Sequence, residues 1–250
     1  MATFPIWSQK KFAMPIQAIE QKRLYQQVAD QLTSLIQKGE FEPGKRLPAE
    51  RELSKMLGVS RPTVREAMIA LEILGLIEIR TGSGIYVVPE SSRKNPLKQK
   101  IDPGPGPFEM LTARASIEGE AAAMAAPIIT DEELEGVREA LHMMEESAEQ
   151  NLSMEAGDRL FHRRIAEATR NSVMVSVIDG LWDTRELEPM WPKLQEHVDK
   201  AAVEQPSLGD HRKIIAALET RDPDKARQAM RDHLERVKRD LLRLTTTEQA

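Results

Sequence analysis

The chain contains no cysteine in its 250 residues. Disulfides, thiolate metal sites and cysteine nucleophiles are therefore excluded together. It also lacks any apolar run approaching the ~20 residues that a membrane-spanning helix needs. The opening stretch, Met1 to Pro15, is broken by Ser8, Gln9, Lys10 and Lys11, so it lacks the apolar centre of a secretory signal. A cytoplasmic protein without a membrane partner is the expectation. Positive charge is also scarce, with a formal net charge of −5, which at first sight argues against a polyanionic partner. The balance is uneven, however. Residues 1–90 carry 12 Lys/Arg against 10 Asp/Glu, a surplus of +2; the remainder carries 23 against 30, a deficit of −7. A clustered local surplus is enough to meet phosphate, because the footprint matters more than the total.

What is present is ordinary globular material, 40% hydrophobic and 30% charged, at a length that suits one large domain or two medium ones. Leu24, Val28, Leu32, Leu35 and Ile36 fall on one helical face, with Gly39 as a stop. After the Pro43-Gly44 turn, a short helix over Ala49–Leu57 closes at Gly58. Ser60 is an N-cap for a third helix, with Pro62 tolerated in its first turn. Val64, Ala67, Met68, Leu71 and Leu74 form that helix's buried stripe, and Gly75 ends it. Two β-rich runs, Leu76–Arg80 and Ile85–Val88, are joined by Thr81-Gly82-Ser83-Gly84 as a hairpin. Proline, glycine, serine and lysine then dominate as far as Pro107. Beyond that point only helical signals appear, in about six or seven segments, with Thr130 and Asp222 as N-caps.

The expected fold is mainly α: an N-terminal winged helix-turn-helix and a C-terminal antiparallel all-helical bundle. The expected boundaries are an arm over 1–21, the winged helix over 22–90, a linker over 91–107 and the bundle over 108–245. The second helix of a helix-turn-helix enters the major groove by its N-terminus. Arg61 and Arg65 lie four apart and are expected to project away from the Val64/Leu71 stripe. Ser60 and Thr63 place hydroxyls and free N–H groups where phosphate is met. Arg51 lies one helix earlier, and the Gly82–Gly84 tip permits close approach to a groove.

The wording of these segments is specific. Pro43-Gly-Lys-Arg-Leu-Pro-Ala-Glu-Arg51-Glu-Leu53, then Gly58-Val-Ser-Arg-Pro-Thr-Val-Arg-Glu-Ala67, resembles the GntR family of repressors, and Leu71 to Gly84 resembles that family's wing. The resemblance implies DNA contacts from Arg51, Ser60, Arg61, Thr63 and Arg65, with Gly82 entering the minor groove. Some members carry a hydroxyl residue where this chain has Pro62, so the phosphate contact of that hydroxyl is missing here. A dimer reading a palindromic operator is implied as well, because two recognition helices must match two half-sites.

All five histidines, His142, His162, His197, His211 and His233, lie in the second half. Asp158 and His162 are four apart, so on a helix they share a face and can chelate one ion, although such a pair is more often a surface hydrogen bond. His211 and His233 sit in helical segments with similar flanks. Three imidazoles and one carboxylate suit Zn²⁺, Ni²⁺, Mn²⁺ or a similar divalent ion and leave positions open for a ligand. Arg114-Ala-Ser-Ile-Glu118, Asp158-x3-His162, Asp210-His211 and His233-Leu234 resemble the FCD-type ligand-binding domain of the FadR subgroup. The resemblance implies that Asp158, His162, His211 and His233 hold a divalent ion inside the bundle. His142 fits no such pattern and is a solvated helix residue.

Around this set, Arg114 is a partner for an effector carboxylate or, equally, for Glu118 four residues on. Trp182 and Trp191 flank Arg185, either as faces for a sugar or as plain core. His197 is a further candidate effector contact. Leu181–Trp191, Pro107–Leu111 and Ala166–Ser172 resemble the hexuronate-responsive repressors of the subgroup, which implies a sugar-acid effector such as a glucuronate, galacturonate or keto-hexuronate. Two rival functions remain: a metal-dependent enzyme with a DNA-binding appendage, in which the His₃Asp set activates water, and a regulator for which the ion is itself the signal.

Overall fold

The computed structural model describes residues 22–92 and 103–244. The expected N-terminal arm and residues 93–102 of the expected linker lie outside the described residues. No described helix is long and apolar enough to cross a membrane.

The first periodic segment forms α1, Leu24–Gln37, whose buried face is Tyr25, Val28, Ala29, Leu32 and Ile36. The leucine stripe expected from the sequence is thus rotated: Leu24 is 52% exposed and Leu35 only partly buried. Tyr25 replaces Leu24 because its ring can enter the core while its hydroxyl donates to the Gly104 carbonyl at 2.5 Å. Helix α2, Glu50–Leu57, ends at a left-handed Gly58. Helix α3, Arg61–Ile73, begins where the Ser60 hydroxyl accepts the Thr63 N–H, with Pro62 in its first turn. Strands β1, Ile77–Arg80, and β2, Gly84–Val87, pair antiparallel, Ile77 opposite Val87 and Ile79 opposite Ile85. Arg46 adds a bridge to Tyr86. These elements are the winged helix-turn-helix that the sequence pattern describes.

Seven helices follow: α4 Pro107–Ala125, α5 Asp131–Glu149, α6 Glu155–Ala168, α7 Ser172–Leu187, α8 Met190–Gln195, α9 Lys200–Glu219 and α10 Pro223–Leu244. Thr130 caps α5 reciprocally with Glu133. The Asp222 carboxylate accepts the N–H groups of Asp224 and Lys225 at the start of α10. Only Thr169–Asn171 separates α6 from α7, and Thr220–Asp222 separates α9 from α10. Such short connections turn neighbouring helices antiparallel. Helix α10 packs along α4, α5 packs against α6 and α9, and α7 rests on α4 and α6.

The two units share one apolar core, because α3 packs against α4 and α8. Helix α3 is consequently covered on a second side: beyond the expected stripe, Arg65, Glu66, Ile69 and Ala70 are buried. The end of the Pro/Gly segment is drawn in as well. Pro103, Gly104, Gly106 and Pro107 are buried, and Pro107 is already the first residue of α4.

Candidate DNA-binding face and ligand site

The residues proposed to read DNA lie on α2, at the start of α3 and at the wing tip. Arg51 is exposed on α2; Ser60 is exposed at the start of α3, where Arg61 and Thr63 are half-buried. Gly82 is exposed at the wing tip with φ +77°, a backbone conformation that favours glycine. Arg65 departs from expectation. It does not project away from the core but is 2% exposed and forms a buried ion pair with Glu50, its Nη2 donating at 2.6 Å. Burial raises the Glu50 carboxyl above its usual range even though Arg65 pulls it down. The reason is positional: Arg65 lies one residue past the Val64 stripe, on the side that α2 covers. In this arrangement the pair ties the two helices of the reader together.

The second constellation lies in the bundle, where α6, α9 and α10 meet. Asp158, His162, His211 and His233 each present one ligand atom, and all four atoms lie within 4.8 Å of one another. His211 Nε2 is 3.1 Å and His162 Nε2 3.4 Å from Asp158 Oδ1. These three atoms are buried with no hydrogen-bond partner. An unpaired cluster of this kind is costly unless something completes it, and the donor set is one that a divalent cation fits. The outward nitrogens point at other acceptors. His211 Nδ1 lies 2.9 Å from the Ser207 carbonyl and His162 Nδ1 2.6 Å from Glu118 Oε2. The latter is a close charge contact whose geometry falls short of a hydrogen bond. His233 Nδ1 faces Asp210 at 3.9 Å.

The buried charges at the centre act on one another unevenly. Burial would raise Glu118, but Arg114 and His162 overcome it and hold the carboxyl at about 2. Asp158 is likewise held well below its usual range, with His162 and His211 outweighing burial. Burial would lower His162, and Glu118 and Asp158 raise it instead. Burial, reinforced by His211, pushes His233 down to about 3, so its ring is neutral and its lone pair free to coordinate.

Beside this cluster opens a cleft of about 780 Å³, counted with its solvent-facing mouth and lined in part by Arg114, Asp158, Arg185, Trp191 and His233. Arg185 is buried between two indoles, 4.6 Å from the Trp182 ring and 4.2 Å from that of Trp191. Its carboxylate neighbours are loose, Glu155 at 3.2 Å and Asp158 at 3.6 Å, and its Nε has no hydrogen-bond partner. Burial pushes Arg185 below the usual guanidinium range; Asp158 opposes this and Arg114 adds to it. Arg114 is committed elsewhere, gripping Glu118 through Nε at 2.6 Å and Nη2 at 3.3 Å. Of the two alternatives for Arg114, the Glu118 pair is the one formed. Trp182 is buried with Ala121, Ala166 and Ile178 behind the arginines and does not line the cleft. His197 does not line it either; it pairs with Glu72 of α3 at 2.6 Å. His142 is exposed beside Glu145, as its isolation in the sequence suggests.

A family model described as bacterial regulatory proteins, gntR family, matches residues 24–87, and one described as the FCD domain matches residues 109–236. The chain belongs to the GntR family of bacterial transcription regulators. Its FCD domain makes it a ligand-responsive, DNA-binding regulator, and the enzyme alternative gives way to that assignment. Among curated relatives, the regulator is 42% identical to an Uxu operon transcriptional regulator of Escherichia coli K12, over 92% of this chain and 91% of the relative. It is 38% identical to an Exu regulon transcriptional regulator of the same strain, over 88% and 84%. A solved Streptococcus agalactiae GntR is similar at 27% identity and a TM-score of 0.46, covering 86% of this chain and 99% of that one.

Some participants in this GntR-family site escape a reading of the sequence. Glu118 does not, being named there as the partner of Arg114 four residues earlier, and Asp210 is named only as part of the Asp210-His211 motif. Glu155, Glu66 and Glu72 carry no local signal, since their partners come from other helices or the neighbouring domain.

Proposed function

We propose that this regulator represses genes of hexuronate catabolism, binding a palindromic operator as a homodimer and sensing a six-carbon sugar acid in the cleft of its FCD domain. The observation that carries the reading is Arg185, a buried cation set against the rings of two tryptophans, with a buried Nε that has no hydrogen-bond partner, lining the cleft beside the histidine cluster. Arg185 takes the effector's carboxylate, and the Trp191 face covers the apolar side of the sugar. The names of the two E. coli relatives, regulators of the Uxu operon and the Exu regulon, support a hexuronate. Asp158, His162, His211 and His233 would hold a divalent ion such as Zn²⁺, Ni²⁺ or Mn²⁺. When bound, that ion supplies open positions for oxygen ligands of the effector. On the DNA side, Arg51, Ser60, Arg61, Thr63 and the Gly82 tip would form the contact surface, the arginines pairing bidentately with guanine.

Titration calorimetry with glucuronate, galacturonate and their keto isomers, beside simple carboxylates, tests the effector. Wild-type protein loaded with Zn²⁺, Ni²⁺ or Mn²⁺ is expected to bind a hexuronate. Arg185→Gln is expected to lose at least tenfold in affinity, the worth of one charge-assisted contact. Binding of non-sugar acids alone would refute the sugar-acid reading. Chelation that abolishes hexuronate binding but leaves effector-free DNA binding intact supports an ion serving the effector. Chelation that by itself switches DNA binding would make the ion the signal.

A further inference from the structure

The recognition helix ends among side chains of the other domain. Near its middle, Glu66 Oε1 accepts the backbone N–H groups of Phe108 at 2.9 Å and Glu109 at 3.1 Å. Both belong to the first turn of α4, whose own N-cap, Gly106, has no side chain to offer. A carboxylate from the DNA-binding domain therefore caps the first helix of the effector domain. Gly106 leaves the space for it, because a methyl group there would collide with the Glu66 carboxylate.

Six residues further on, Glu72 makes a three-way junction. Its Oε1 accepts the Ile79 N–H of the wing at 2.9 Å. Its Oε2 lies 2.6 Å from His197 Nε2 and 3.6 Å from Lys193 Nζ. Lys193 is on α8 and His197 two residues past its end, while Trp191 and Gln195 of the same short helix line the cleft. Helix α8 is thus one wall of the cleft on one side and the docking partner of α3 on the other. Domains joined by a linker move relative to each other by default unless the interface is large and apolar. Here the contact combines a shared core with two nearly buried carboxylates whose partners are fixed, and a buried carboxylate deprived of its partner is strongly disfavoured.

We infer that Glu66 and Glu72 are positioning residues for DNA recognition: they fix the recognition helix and wing to the effector domain, and α8 carries the state of the cleft to Glu72. The link from cleft to α8 rests on the cleft being the effector site; the fixing of α3 does not. Occupancy of the cleft that moves Trp191 moves the Lys193/His197 end of α8, and Glu72 must follow or lose these partners. In either case the angle of α3 changes. Coupling between sites of this kind is typically 5- to 150-fold in affinity.

The test uses the full-length chain and a duplex selected from random sequence by the wild-type protein. Glu72→Gln keeps an acceptor for Ile79 while losing the charge toward His197 and Lys193, and Glu66→Gln keeps an acceptor for α4. Hydrogen–deuterium exchange of Glu72→Gln is expected to rise in Met190–Gln195, across the domain boundary, and not only in β1. Effector-free affinity for the selected duplex is expected to change at least fivefold in Glu72→Gln, although Glu72 lies far from the DNA-reading end of α3. With galacturonate as the probe, the wild-type shift in duplex affinity is expected to fall below twofold in the variant while calorimetric binding of galacturonate is retained. If wild-type protein does not bind galacturonate, the effector reading fails, and the exchange and effector-free arms still decide the positioning role. Unchanged exchange in α8 together with unchanged duplex affinity would overturn it, and His197→Gln added to Glu72→Gln must then prove additive in thermal unfolding.

Discussion

Arg65 and Arg61 are the same residue type four positions apart on one helix, yet the structure gives them different work. Arg61 stands half-buried in the first turn of α3, whereas Arg65 is sealed against Glu50. Removing one member of a buried pair strands the other charge, which costs about 3–5 kcal/mol. Arg65→Ala is therefore expected to lower stability by about that amount in urea unfolding, so any loss of operator binding in that variant reports misfolding as well as a lost contact. Arg51→Ala, on an exposed position, is expected to stay within about 0.5 kcal/mol of wild type while losing the specific gel shift. Equal stability of both variants would return Arg65 to the DNA-contact set that the family resemblance implies. Similar reasoning separates Arg185 from Arg114. Arg114 grips Glu118, which in turn faces His162, while Arg185 has looser carboxylate neighbours and a buried Nε without a hydrogen-bond partner. Spacing nominates both arginines as effector contacts; the third dimension adds that both line the cleft and that Arg114 is the more tightly paired of the two.

At the scale of elements, caps and periodicity were legible and contacts between elements were not. Ser60, Thr130 and Asp222 cap the helices they were expected to cap, and the wing closes around Gly82. These are local signals, written within four residues of where they act. The second buried side of α3, the inward end of the Pro/Gly segment and the pairing of His197 with Glu72 depend on packing between domains, for which a chain has no short-range code. Glu66 illustrates the consequence. Burial raises its carboxyl from the ordinary 4.5 to about 7, with Glu109 adding to the rise and the N–H groups of Phe108 and Glu109, then Lys238, opposing it. Between these two values the folded protein retains a proton that the unfolded chain has released. The contribution of Glu66 to stability is therefore fully present below about pH 4.5 and is lost as pH rises through about 7. The full effect is at most about 3 kcal/mol. Glu66→Gln, permanently uncharged, is expected to flatten this part of the melting-temperature profile and to gain on wild type above pH 7. An unchanged pH profile in Glu66→Gln would mean that Glu66 stays ionised throughout, with the α4 N-terminus sufficient to hold its charge.

For the whole molecule, one chain supplies one reader, and a palindrome requires two at a set separation, about 34–36 Å or a multiple of it. For the proposed homodimer, the outer side of α7 offers one apolar stripe that would set that separation. Val173, Val177 and Leu187 are 68%, 41% and 82% exposed there. Together with Gly180, which has open space around it, they recur at the spacing of a single helical face. The opposite side of α7 packs on α4 and α6, behind the cluster that holds Trp182. A second copy seated on this face would place two effector clefts on either side of a common seam. Each reader would then be tied to that seam through α4, α8 and the two glutamates of α3. Val177→Glu, which leaves the cleft and the winged helix untouched, is accordingly expected to shift sedimentation from dimer to monomer. The same variant is expected to weaken binding to the full palindrome far more than to an isolated half-site, because only the former draws on two linked contacts. Wild-type protein that sediments as a monomer at concentrations where it still binds the palindrome cooperatively would remove α7 from this role and assign pairing to the DNA-bound state.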